Sequence, residues 1–219
     1  MKEKSIKKYG YILLTILIIL FYTKDCNINK KDIKMISFPD SLNVVVNKYN
    51  KLSSDYIPND LVLIPLKYSN SDKYLRKEAA DNFIKLCEDA LKLNYKIILT
   101  SAYRSYEYQN KLYSDYEKKY NLEYTSSCCA QAGFSEHQTG LAIDIMGSNN
   151  DYHKFDESVE FEWMENNAHK YGFILRYPKG KENITGFKYE PWHYRYVGYD
   201  LATYLFNNNL TLEENKKRN

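Results

Sequence analysis

"FSEHQTGLAIDIMG", residues 134–147, sets an alternating apolar run directly behind a polar turn. In the second half, Leu141, Ile143 and Ile145 fall on one side of an extended chain, with Ala142 and Asp144 on the other, because successive strand side chains point to opposite faces. The pattern predicts a strand with one face in the core. An acid inside such a strand is costly to bury unpaired. A metal ion would satisfy Asp144, and so would an Arg or Lys partner. In the first half stands His137, one of only four histidines in the chain. Gly140 lets the turn that carries it fold back onto the strand, and the small side chain of Ala142 leaves room for an ion.

Outward from this stretch, the chain alternates predicted helices and strands without a βαβ rhythm. Leu75, Ala79, Phe83, Leu86, Ala90 and Leu93 recur at steps of three and four, which predicts a helix over residues 74–93. "YKIILTS", residues 95–101, is a strand. A second helix covers 106–120 with Ser105 as its N-cap, and "TSSCCAQAGFSEHQTG", residues 125–140, is a loop. A third helix spans 158–171 and stops at Gly172. "FILRYP" (173–178) and "WHYRYVG" (192–198) are strands joined through the turn-rich "KGKENITG", and a short helix follows over 201–206. This order gives an α+β fold with a small antiparallel sheet and flanking helices.

The composition carries a core: 44% of the 219 residues are hydrophobic, with nine Phe, two Trp and 23 Tyr. The net charge is +3, and "MKEKSIKK" at residues 1–8 accounts for all of it with four Lys and one Glu. The remainder is near neutral, which excludes the basic footprint of a nucleic-acid binder. After the basic end comes "YGYILLTILIILFY", residues 9–22, a signal anchor or signal h-region. As a helix it would rise only about 21 Å, short for a full span, yet no small-residue cleavage site follows. The expectation is an uncleaved anchor, with secretion after cleavage as the alternative. Either puts a monomeric domain, residues 41–219, outside the cytoplasm, behind a polar linker over 23–40. Cys87 lies on the apolar stripe of the first helix and reads as a buried thiol. A bridge from Cys87 to Cys128 or Cys129 stays open, and the absence of a CxxC pair argues against a Cys-type zinc site.

A second polar stretch, "YEPWHYRY" at 189–196, completes a candidate site. Two imidazoles and a carboxylate form an inner shell suited to catalytic zinc, with a fourth position left for water. His137, Asp144 and His193 fill those roles, and Glu190 is spare as the base that takes the water's proton. In a regular strand Glu190 and His193, three apart, would face opposite sides, and Pro191 does not suit a central strand. Glu190 is therefore expected just before the strand, in an irregular segment turned towards the metal. No HExxH is present, so the helical zinc-protease arrangement is excluded. Of the remaining histidines, His169 is expected to be solvated and His153 has no assigned role. Trp192 belongs to the pocket wall or, more readily, the core.

"SEHQTGLAIDI" and "EPWHYRYVG", preceded by "TSAYRSYEYQ", resemble the VanY-type D-alanyl-D-alanine carboxypeptidases, zinc peptidases that share a fold with the hedgehog signalling domain. The pattern S-x-H-x-x-G-x-A-x-D followed by E-P-W-H covers roughly residues 60–206. One departure is "AQAG", residues 130–133, where the family pattern resembles A-R-P-G. It bears on the shape of that loop and leaves the ligands intact. The resemblance implies zinc on His137, Asp144 and His193, and Glu190 as general base and then acid. It also implies Arg104 as a donor to a substrate carboxylate or to the polarised carbonyl, and Ser135 and Gln109 as further contacts to the peptide end. The activity implied is removal of a C-terminal D-alanine from peptidoglycan stem peptides, with D,D- or L,D-specificity open. The rivals are a non-catalytic module that binds cell-wall peptide and an endopeptidase on the same fold. A spare Glu190 beside the ligands is what a pure binder would not need.

Overall fold

A computed structural model describes residues 32–216 of the protein. In chain order the strands are β1 Lys34–Met35, β2 Asn50–Lys51, β3 Leu61–Leu63, β4 Tyr74–Arg76, β5 Ile98–Ser101, β6 Ala142–Met146, β7 Phe173–Leu175 and β8 His193–Tyr196. The helices are α1 Lys77–Lys92, α2 Tyr106–Lys119, α3 Leu122–Cys128, α4 Val159–Asn167, α5 Glu182–Thr185, α6 Tyr199–Asn207 and α7 Leu212–Lys216. Short 3-10 segments cover Glu136–Thr139, Tyr152–Glu157, which is kinked at Lys154, and Ala168–Tyr171. The segments read above as basic end and anchor, residues 1–22, lie outside the described residues, as do residues 23–31 of the linker. Among the described residues no helix is long and apolar enough to cross a membrane.

The centre is an antiparallel sheet in the order β5-β6-β8-β7, as the α+β reading requires. Alternation divides its faces. Leu99, Ile143, Ile145, Phe173, Tyr194 and Tyr196 enter the main core, where the stripe Ala79, Ala80, Phe83, Leu86, Cys87 and Ala90 of α1 meets them. Phe83 and Phe173 pack edge to face with ring centres 6.3 Å apart, the arrangement the ring quadrupoles favour. The opposite face carries Ala142, Asp144, His193 and Arg195. Across the ladder Asp144 stands directly opposite His193, and Ala142 opposite Arg195.

Several boundaries differ from expectation, for identifiable reasons. The first helix starts at Lys77, not residue 74, because Tyr74–Arg76 pairs antiparallel with Leu61–Leu63. The Arg76 amide donates to Gly140 O at 2.9 Å and the Lys77 amide to Asp60 O at 2.9 Å. Partners distant in sequence thus claim donors that a longer helix would have used. The expected loop 125–140 contains the end of α3 and a 3-10 turn. Asn121 caps the first, accepting from the Tyr124 amide at 2.7 Å, and Ser135 caps the second, accepting from the His137 amide at 3.3 Å. Polar residues that look like loop are here helix starts. Residues 182–185, inside the expected turn, form α5, and α7 was not foreseen. Ser105 and Gly172 act as predicted: Ser105 accepts from the Tyr108 amide at 3.2 Å, and Gly172 ends its turn at φ +79°.

Gly140 has φ +67°, and a Cβ there would meet Leu61 Cδ2 at 2.9 Å and Arg76 Cγ at 3.0 Å. Left-handed backbone costs an L-residue roughly 1–2 kcal/mol before any clash. Gly140→Ala is therefore expected to destabilise the protein by about 1–3 kcal/mol in urea unfolding. An unchanged midpoint would remove the steric role assigned to this glycine.

Candidate active site

Three segments converge on the polar face of the sheet. β6 brings Asp144, the neighbouring β8 brings His193, and the turn before Gly140 brings His137. A fourth, the link between β5 and α2, is laced to that turn: the Arg104 amide donates to His137 O at 3.2 Å, and His137 Nδ1 lies 2.7 Å from Ala102 O. A carbonyl can only accept, so Nδ1 carries the proton and Nε2 presents its lone pair to the site. His137 Nε2 is 3.3 Å from Asp144 Oδ2, and His193 Nδ1 is 2.9 Å from Asp144 Oδ1. One donor atom from each of the three residues lies within 4.8 Å of the others, and all three side chains are buried. Two neutral-capable imidazoles, a carboxylate and a backbone carbonyl fixing one tautomer fit a zinc-type ion.

The electrostatics agree with these roles. Burial, with help from the Arg104 cation, pushes His137 down to about 4, so it is a neutral ligand at neutral pH. Burial also opposes charge on Asp144, but His137, His193 and Arg104 outweigh it and hold the carboxyl well below its usual range. At His193 burial is likewise outweighed, by the carboxylates of Asp144 and Glu136, and the ring is pushed up to about 9.

Glu190 lies where the sequence predicts, before β8 and in a turn: its amide donates to Tyr177 O at 3.1 Å, and its carbonyl accepts from the His193 amide at 3.1 Å. Its Oε2 is 3.8 Å from His193 Nδ1, close enough to serve the same centre without being one of the three converging donors. Burial is the main reason its pKa rises to about 7, which suits a group that must both take and return a proton.

Of the two partners considered for Asp144, the arginine is in place beside the candidate metal donors. Besides the imidazoles, Arg104 Nη2 donates to Asp144 Oδ2 at 2.6 Å. Arg104 is itself held by Ser101 Oγ at 2.8 Å from Nε and by Gln109 Oε1 at 3.3 Å from Nη1. Gln109, read as a substrate contact, is buried, and its amide nitrogen donates to Ala130 O at 2.7 Å. It holds the guanidinium and also lines the cleft, where a substrate contact remains open to it. Ser135 caps the His137 turn and also lines the cleft, so its hydroxyl can still donate to a ligand. The cleft holds about 280 Å³, the scale of a short peptide end. Tyr152, His153 and Trp192 form one wall, with Trp192 meeting both rings edge-on. Trp192 also packs on the main core, so it serves as wall and core together.

Other expectations are corrected. Ala142 does not line the cleft; it is buried opposite Arg195. His169 is not solvated but buried, stacked on Phe206 at 3.8 Å. His153, given no role, lies in the cleft wall. Cys87 is a buried free thiol, and Cys128 and Cys129 are free as well. Sequence reasoning also missed the network behind His193. Glu136 Oε1 accepts from Arg176 Nε at 2.8 Å and Arg195 Nη1 at 2.9 Å, and Arg176 grips Glu213 of α7 through two bonds of 2.8 and 2.6 Å. The available signal was the one used for Asp144: Arg176 and Arg195 are charges inside apolar strand patterns.

Comparison with known proteins agrees with this geometry. The family model described as VanY, D-alanyl-D-alanine carboxypeptidase, matches residues 72–199. YodJ of Bacillus subtilis (strain 168), named as a carboxypeptidase, is 40% identical over 196 residues, covering 86% of this chain and 72% of that one. The structure of the LdcB LD-carboxypeptidase, described for its peptidoglycan recognition, superposes with TM-score 0.78 at 40% identity, covering 83% of this chain and 88% of that one. A VanY D,D-pentapeptidase variant from a VanB-type resistance cassette, in complex with Zn(II), gives TM-score 0.65 at 31% identity, covering 78% and 97%. With more than half its length matched by the family model and this relative so similar, the chain belongs to the VanY family of D-alanyl-D-alanine carboxypeptidases.

Proposed function

We propose that this protein is a zinc carboxypeptidase that removes the C-terminal D-alanine of peptidoglycan stem peptides. The observation that carries the reading is the buried His137–Asp144–His193 set with Glu190 beside it, the pKa of the latter raised to about 7. Zinc when bound supplies Lewis acidity, which draws electrons from the scissile carbonyl and makes water acidic enough to attack near neutral pH. His137 offers Nε2 to the ion because Ala102 O occupies its other nitrogen. Glu190 Oε2 takes the proton of the attacking water and returns it to the departing D-alanine amine. Arg104, at the cleft wall, offers a planar cationic fork to the substrate carboxylate or carbonyl. Ser135 adds a hydroxyl beside it.

Of the two stem lengths, the higher sequence identity to L,D-carboxypeptidase structures (40% and 35%) than to D,D-peptidase structures (31% and 30%) supports the tetrapeptide as main substrate. The basic residues 1–8 and apolar residues 9–22 support export of the domain, held at the membrane by an uncleaved anchor, on the side where this substrate lies. The test is mass spectrometry of purified muropeptides after incubation with the protein, with and without a chelator. The expected result is loss of one alanine from the tetrapeptide, abolished by the chelator and restored by zinc. Loss from the pentapeptide alone would transfer the specificity. Cleavage of cross-linked dimers into monomers would make the protein an endopeptidase, and no cleavage with zinc present would leave a binding module.

A further inference from the structure

We propose that Glu136 is a positioning residue: its Oε2 accepts a hydrogen bond from the Nε2–H of His193 and so turns Nδ1 of that ring towards the metal. The inference rests on the zinc reading above and adds to it a carboxylate that is not a ligand.

Two buried polar atoms face each other and lack partners among the described residues. One is Glu136 Oε2 and the other His193 Nε2, and they are 3.7 Å apart. An unsatisfied buried donor or acceptor is expensive, and an approach of roughly 0.5 Å would satisfy both at once. The carboxylate cannot swing away to find another donor. Its side chain has 0% exposure, and so have those of Arg176 and Arg195, whose guanidinium groups hold Oε1. Arg176 is in turn forked by Glu213, so two carboxylates and two guanidinium groups balance in charge and lock one another.

The imidazole of His193 lies between two sets of groups. On the Nδ1 side stand Asp144 Oδ1 at 2.9 Å and Glu190 Oε2 at 3.8 Å, which is the side of the metal donors. On the Nε2 side stands Glu136. A ring that gives the Nδ1 lone pair to a metal must carry its proton on Nε2, and that proton needs an acceptor. Glu136 is the residue immediately before His137. One 3-10 turn therefore supplies a ligand from one residue and orients the second histidine with the other. His137 uses Ala102 O for the same purpose, so the two imidazoles bind through opposite nitrogens, Nε2 of His137 and Nδ1 of His193.

The experiment begins with the wild-type protein, labelled with 15N at histidine and loaded with 113Cd or zinc. In long-range 1H–15N spectra the expected pattern for His193 is a metal-bound Nδ1, showing 113Cd coupling, and a protonated Nε2 whose proton is downfield and slow to exchange. Coupling at Nε2 of His193, or an Nε2 proton that exchanges freely, would overturn the inference and leave the zinc reading intact. A wild-type protein that takes up no metal at His137, Asp144 and His193 would overturn both. In Glu136→Gln, zinc affinity from chelator competition should fall about 10–100-fold, and the Nε2 proton should move upfield. A folded variant, by circular dichroism, with wild-type affinity would overturn the inference. Should the variant fail to fold, with two arginines left short of charge, the wild-type spectra alone decide.

Discussion

Glu190→Ala is expected to lower the rate of D-alanine release by about 10²–10⁴-fold, the usual share of a positioned acid–base group, and to leave bound zinc in place. Glu190 supplies none of the three converging donor atoms, so removing it does not open the metal set. It is nevertheless the carboxylate 3.8 Å from His193 Nδ1, and no other carboxylate among the described residues is both in the cleft and free of strong partners: Asp144 is held by Arg104 and the imidazoles, and Glu136 by two guanidinium groups. Elemental analysis and muropeptide turnover measure the two halves of the expectation. Normal turnover would remove Glu190 from the mechanism, and lost zinc would make it a ligand. A stability effect accompanies the loss of activity. Burial raises the folded-state pKa of Glu190 to about 7, above the ordinary value of about 4.3. Between those values the folded protein binds more protons than the unfolded chain, so its stability falls as pH rises through this window. Glu190→Gln removes that fall. The metal-free variant is expected to exceed metal-free wild type by on the order of 3 kcal/mol at pH 8, with no gain at pH 4. Urea unfolding at both pH values measures it, and an equal difference at the two would refute the assignment.

Asp144→Ala is expected to abolish zinc retention and turnover together and to destabilise the fold by about 3–5 kcal/mol, the cost of removing one partner from a buried ionic cluster. The reason lies in the number of groups that share this carboxylate: Arg104 Nη2 at 2.6 Å, His193 Nδ1 at 2.9 Å and His137 Nε2 at 3.3 Å. Removing it deprives the metal of a ligand and leaves the guanidinium without its counter-charge. It also lowers the pKa of His193, since Asp144 is the first of the groups that raise it against burial. Asp144→Asn keeps the shape and separates the two effects, with zinc still lost and less of the stability. Full zinc content in Asp144→Ala would remove this residue from the metal set.

Much of the candidate site was legible in the chain because its chemistry is local. The alternation of Leu141, Ile143 and Ile145 against Ala142 and Asp144 sets a strand and its faces, and a strand's period of two leaves little freedom. Pro191 and the three-residue step from Glu190 to His193 required a turn ahead of β8, and the turn is there. The helix over 77–92 was legible for the same reason, its stripe being a repeat of 3.6. Less legible were elements whose hydrogen bonds run to distant partners. The backbone amides of Arg76 and Lys77 are claimed by Gly140 and Asp60, so a helical pattern begins three residues late.

By itself the sequence determined which residue types stand at which positions: two histidines and an acid as candidate ligands, a spare Glu190 and a sheet face to carry them. These follow from side-chain chemistry and short-range periodicity. Only the tertiary structure decided how the groups are held. Gln109 grips Arg104, Ala102 O selects the tautomer of His137, and Glu136 lies locked behind His193 by Arg176 and Arg195, residues 40 and 59 positions away. Whether a charged side chain is a solvated surface group or a buried support depends on what packing brings against it. That packing is set by the sheet and α7 meeting across the chain, which no local pattern in the residues records.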